Sequence, residues 1–225
     1  MTVFQRARSA EQRAARRRAI LDTAAAMLAE MPVADITLNE LSRRVGLAKS
    51  NVLRYFESRE AVLLELLASA WEQWRADLAG ELDRAVDPAA PVAARGDQVA
   101  AALAASLAVR PVLCDLLSAQ AAVLERNVSP ALAATYKRSA VTALASLGAL
   151  LRRHLGELSQ DDAGRLAAAT VVTTGALWPQ CQPSAAMLAA YDADPALAAL
   201  RVEFADALRE FLEIMVSGLL TRGGS

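Results

Sequence analysis

TLNELSRRVGLAKSNVLRY, Thr37 to Tyr55, decides the fold of this 225-residue chain. Thr37 with Glu40 three residues on has the spacing of a capping box, in which each residue satisfies an orphan backbone donor at a helix start. Leu38, Leu41 and Val45 recur at helical spacing and form a buried face, while Asn39, Arg43 and Arg44 point away. Gly46 supplies the turn, because a residue without Cβ enters the left-handed region at no steric cost. Leu47 anchors that turn, and a second helix begins at about Ala48, burying Val52 and Phe56. Its outward residues are Lys49, Ser50, Asn51, Arg54 and Tyr55, all able to donate hydrogen bonds to phosphates or bases. Two short helices at a fixed angle with a donor-rich outer face suit the major groove of DNA.

Working outward, the first sixty residues hold eleven Lys and Arg against seven Asp and Glu, a net of +4, whereas the remainder carries −5. A basic front on an acidic body suits a DNA-binding head. Arg6, Arg8, Arg13, Arg16, Arg17 and Arg18 precede the first buried helix and read as a phosphate-contacting or minor-groove arm, unstructured until bound. Helices are expected from Ala10 to Met31, through the two of the hairpin, and onward from Ser58 along Val62, Leu63, Leu66, Leu67, Trp71, Trp74 and Leu78. Asp87 to Pro91 reads as a linker. Further helices are expected at Val92–Val109, Pro111–Arg126 with a break, Ser129–Leu155, Ser159–Trp178 and Asp194–Leu220, about nine in all, with a short one around Ala185–Tyr191.

Composition agrees. The chain is 55% hydrophobic with 10 Gly and 8 Pro, dominated by Ala and Leu, the strongest helix formers. An all-α protein follows. No apolar run approaches the roughly 18–20 residues that span a bilayer, and no signal core follows the N-terminal arginines, so a soluble cytoplasmic protein with no membrane partner is expected. Cys114 and Cys181 show no metal-ligand spacing and read as reduced thiols. His154 is the single histidine and sits near a helix end. With no clustered carboxylates, neither a metal site nor a catalytic set can be assembled, and no cofactor is implied.

The pattern Thr-x-x-x-Leu-x-x-x-Val-Gly-Leu-x-x-x-x-Val-x-x-Tyr-Phe-x-Ser-Arg-Glu-x-Val-Leu resembles the DNA-binding domain of the tetracycline-repressor (TetR) family. The likeness runs from about Arg13 to Leu67 and includes Arg-Arg-Arg-Ala-Ile-Leu-Asp-Thr-Ala at Arg16 to Ala24. It implies a three-helix, helix-turn-helix DNA-binding domain over 1–57. Residues 58–225 would form a connector helix and a helical-bundle domain for ligand binding and dimerisation. Ala48 stands where the family commonly places a capping Ser or Thr, and Leu53 where Tyr is common. Lys49, Ser50, Leu53, Arg54 and Asn39 are the base-edge candidates, and Asn51, Tyr55 and Arg59 the phosphate candidates.

The resemblance further implies a homodimer on a palindromic operator in double-stranded DNA, acting as a repressor released by a small-molecule effector. Trp71, Trp74, Cys114, Tyr136, Trp178 and Met187 are the large or polarizable residues available to line a pocket, and the scarcity of charge around them favours a mostly apolar ligand. Ala168, Val172, Leu177, Ala205, Leu208, Leu212 and Met215 are expected on the self-association face of the last two long helices. The alternative is a helical ligand- or partner-binding protein whose DNA head has no sequence preference.

Overall fold

The computed structural model describes residues 3–223, with side-chain surroundings for residues 11–222. Among these residues there are eleven helices and no strand, as the composition demands. The chain divides into two compact units, Met1–Ser69 with Ala119–Lys137, and Ala70–Ser118 with Arg138–Ser225.

In the first unit, α1 (Val3–Glu30) packs on α2 (Leu38–Val45), and α3 (Lys49–Val52) follows across the glycine turn. Ile20, Ala24 and Met27 of α1 are fully buried with Ile36, Leu41 and Val52. Each buried Leu, Ile or Met contributes roughly 1.5–3 kcal/mol. The segment before Ala10 does not form a separate arm: α1 is helical from Val3. Its Arg, Ala, Glu and Gln are strong helix formers uninterrupted by Gly or Pro, so the helix extends through them. The side chains of Arg6 and Arg8 lie outside the described residues. Ser58 Oγ accepts from Ala61 N at 3.1 Å and starts α4 (Arg59–Ala85), which continues into the second unit.

In the second unit, α5 (Val92–Ala108) packs closely against α11 (Phe204–Gly223). A Cβ on Gly96 would stand 2.8 Å from Val216 Cγ1, so only glycine permits that approach. α6 (Pro111–Ala119) passes into a π-helical turn over Gln120–Leu124, the expected break, which with the start of α7 (Pro130–His154) belongs to the first unit. α8 (Gln160–Leu177) is capped by Ser159, whose Oγ accepts from Asp162 N at 3.0 Å, and it packs on α11.

The final helix is not continuous from Asp194. Between α8 and α11 lie α9 (Ala185–Ala193) and the single turn α10 (Pro195–Ala198), neither of which buries a residue. Asp194 caps α10 by accepting from Ala196 N at 2.8 Å. A cap alone cannot sustain a helix that gains no packing, because nucleation is costly. α11 restarts where Phe204 meets Trp178 edge-to-face, 5.0 Å between ring centroids. Among the described residues no single helix is long and apolar enough to cross a membrane.

Candidate nucleic-acid interface

The hairpin is built as its residues require. Thr37 Oγ1 accepts from Glu40 N at 3.1 Å, closing the start of α2. Gly46 has φ of 72°, the one positive φ among the described residues. Its N–H bonds Arg43 O at 3.2 Å while Leu47 N bonds Ser42 O at 3.0 Å. That pair of bonds is a Schellman ending, which satisfies carbonyls that α2 would otherwise leave bare. Ala48 offers no side-chain cap to α3, and the helical turn is held by its backbone carbonyl.

This turn presents two unlike sides. Val52 and Phe56 are buried, while Lys49, Ser50, Asn51, Leu53 and Arg54 are all exposed. The structure thus brings five of the candidate contact residues onto one short surface; Tyr55 is half-buried beside them. Leu53 is 41% exposed, an apolar group held out among donors. Such a group can meet a thymine methyl.

The arginines of α2 and α4 are differently placed. Asn39 and Arg43 are exposed, but Glu40 gathers Arg43 (2.6 Å) and Arg44 (2.8 Å), and Arg44 also bonds Glu30 at 2.5 Å. Hydrogen bonds from Arg43, then Arg44, hold the Glu40 carboxyl down at about 2. Arg59 donates to the Ile36 carbonyl at 2.7 Å and pairs with Glu60 at 3.2 Å, so its guanidinium is engaged within the chain.

Arg17 is the residue that the reading of the sequence misplaced. It bonds Glu65 through two nitrogens, donates to Tyr55 O at 2.8 Å, and lies 4.1 Å from the centre of the Phe56 ring. It therefore ties α1 to the end of the exposed α3 turn and to α4. The signal was present in the spacing, since Arg17 lies three and seven residues before buried Ile20 and Ala24, on the same stripe.

The residues expected around an effector are not all brought together. Trp71, Trp74, Cys114 and Trp178 are buried in the second unit, whereas Tyr136 belongs to the first. Met187 is 46% exposed on α9. Burial pushes the Cys114 thiol up to about 12, and its Sγ donates to Leu107 O at 3.3 Å. Cys181 is only half-buried.

The dimer set needs a larger correction. Leu177, Leu208 and Leu212 are buried within the chain, and Ala168 and Ala205 are half-buried. Only Val172 (70% exposed) and Met215 (39%) stand outward. α11 carries two apolar stripes: Phe204, Leu208, Leu212 and Val216 face inward, whereas Phe211, Ile214 and Met215 face solvent. Spacing alone cannot say which stripe of a doubly apolar helix is the core.

Comparison with known proteins agrees with this architecture. Residues 20–66 match the bacterial regulatory proteins of the tetR family, and residues 68–223 match the tetracyclin repressor-like C-terminal domain. Over 49 residues the chain is 45% identical to the HTH-type transcriptional regulator EthR of Mycobacterium tuberculosis, a stretch that spans 22% of this chain and 23% of that relative. A TetR transcriptional regulator from Rhodococcus sp. RHA1 superposes with a TM-score of 0.55 at 16% identity, covering 93% of this chain and 97% of the other. The regulator FadR from Bacillus subtilis, solved in complex with stearoyl-CoA, superposes at 0.54 with 15% identity over 89% and 97% of the two chains. At these identities the likeness is one of fold.

Proposed function

The chain belongs to the tetR family of bacterial regulatory proteins, and on that premise we propose that it is a dimeric, sequence-specific repressor released from a palindromic operator by a small, mostly apolar effector. The observation that carries the DNA-binding part is the exposed surface Lys49–Asn51 with Leu53 and Arg54, backed by buried Val52 and Phe56. Lys49, Ser50, Leu53 and Arg54 read base edges, with Asn39 at the margin, while Asn51 and Tyr55 hold phosphates. Arg43 and Arg44 add positive potential beside them. Arg59 serves chiefly by tying the start of α4 to Ile36.

Self-association is supported by the outward residues Val172, Phe211, Ile214 and Met215 on the two helices that flank the unburied α9–α10 segment. Large apolar side chains left in solvent on two helices that pack together are surface available for an interface. One hairpin reads few bases; two heads spaced by roughly 34–36 Å read both halves of a palindrome.

The effector part is supported by the family and by a same-fold regulator, FadR, in complex with stearoyl-CoA. Only a ligand that prefers the DNA-incompetent state can release the operator. The test is binding to a selected duplex and a scrambled one at increasing salt. A sequence ratio that persists at physiological salt while total affinity falls supports the reading. Equal affinity for both duplexes contradicts it.

A further inference from the structure

Three buried side-chain polar atoms among the described residues have no hydrogen-bond partner: Trp71 Nε1, His154 Nε2 and Thr174 Oγ1. All three lie in the second unit. His154 Nε2 faces Asp83 Oδ1 at 3.4 Å. The other two face no such group, and a buried polar atom left unpaired in a native fold calls for an explanation.

Trp71 and Thr174 stand on helices that are connected through α5 and α6. Trp71 meets Trp74 edge-to-face at 4.9 Å, one helical turn along α4. The Trp74 indole is satisfied: it donates to Ser106 Oγ at 2.9 Å, and Ser106 donates to Leu103 O at 3.0 Å. Beside Ser106, Leu107 O accepts from Cys114 of α6. Further along α6, Leu117 O lies 3.1 Å from where a Cβ on Gly175 would stand, and Thr174 is the residue before that glycine. Helices α4, α5, α6 and α8, which carry the two unpaired groups on the first and last of them, are thus linked contact by contact.

The chemistry left over is restrictive. Apart from His154, which faces Asp83, the buried polar side chains of this unit among the described residues are Ser106, Thr170 and Thr174, none of them charged; the buried carboxylate Glu60 belongs to the other unit. Ser106 is engaged, and Thr170 donates to Leu166 O at 2.9 Å. Arg110, which donates to Ser106 O, is already bonded to Asp77 and Glu81 at 3.0 Å each. An anion buried here would have no free counter-charge, and its desolvation would be uncompensated. An indole N–H can only donate.

We infer that the effector is uncharged and mostly apolar, and carries a carbonyl-type acceptor (ketone, ester, lactone or amide) that takes the Trp71 indole N–H, with the Thr174 hydroxyl as a second contact. This rests on the ligand-responsive reading above and narrows it to a chemical class.

The test uses the full-length protein with 15N-labelled tryptophan and three probes of similar length: 2-nonanone, octanoate and octylamine. The expected result is saturable movement of the Trp71 indole signal by 2-nonanone and by neither ion, with an affinity about tenfold lower in Trp71→Phe. Thr174→Val, which keeps the shape and removes the hydroxyl, should weaken the same ketone several-fold, and it serves alone if Trp71→Phe does not fold. Tighter binding of either ion, equal ketone affinity in the variants, or binding of no probe at millimolar concentration overturns the inference. Release of selected DNA is measured separately. Ketone binding through Trp71 without DNA release would sink the effector reading and leave this site standing. DNA release by a charged ligand would do the reverse.

Discussion

The guanidinium of Arg17 lies 4.1 Å from the centre of the Phe56 ring, and Phe56 is the buried residue that follows the exposed turn of Lys49 and Arg54. The same guanidinium holds Tyr55 O at 2.8 Å and Glu65 of α4. Three segments thus meet at one half-buried cation, so the orientation of Lys49 and Arg54 depends on a residue outside their own turn.

Arg17→Ala should therefore act on the head's stability before it acts on DNA. With side chains of Arg17 and Glu65 41% and 37% exposed, the ion pair is partly screened. The loss expected from ring contact and hydrogen bonds together is about 1–2 kcal/mol. Thermal unfolding should show the loss, while exposed Arg18→Ala should leave the midpoint unchanged. Equal midpoints for Arg17→Ala and the parent chain would contradict the structural role.

Gly46→Ala tests the turn. Gly46 has open space around its missing Cβ, so no clash intervenes, and its φ of 72° is the only obstacle. The strain should cost about 1 kcal/mol or more, and hydrogen exchange across α2 and α3 should rise. An unchanged exchange pattern would show that the left-handed turn is not needed.

Much of this was legible from residues alone, and the reasons differ by element. Thr37 and Gly46 act through their own backbone neighbours, so local chemistry identified them. Val52 and Phe56 followed from helical spacing. The charge of Arg17 suggests solvent and a DNA contact, whereas its spacing to Ile20 places it on the buried stripe. The Asp194-Pro195 start signal is real but local, and without packing that helix ends within one turn. On α11 two apolar stripes compete, and tertiary contact with α5 and α8 selects the one containing Leu208 and Leu212.

That selection yields a prediction for assembly. Ile214→Glu, at a position 65% exposed, should leave the fold of the chain intact and shift a dimer toward monomer in sedimentation equilibrium. Leu208→Glu, at a fully buried position, should unfold the second unit instead. A dimer undisturbed by both Ile214→Glu and Phe211→Glu would place self-association elsewhere.

His154 gives a pH dependence. Burial, its largest influence, lowers its pKa below 6.5, with Asp83 opposing and Arg153 adding to the shift. The unfolded chain therefore takes the proton first. The neutral side chain's contribution is complete above the unfolded value and is lost as pH falls through 6.5 toward the folded value. Thermal midpoints measured from pH 7.5 to 5.5 should decline more steeply in the parent chain than in His154→Gln. Parallel declines would show that His154 is not buried as a neutral group.

The central claim is sequence-specific DNA reading through the surface of Lys49 and Arg54, and selection from a randomised duplex pool at physiological salt tests it most directly. The account predicts enrichment of a palindrome whose half-sites are about one helical turn apart. Lys49→Ala and Arg54→Ala should each reduce affinity for it by about 1–3 kcal/mol and relax preference at particular bases. A pool that remains unenriched, or a palindrome bound equally well by both variants, would contradict it.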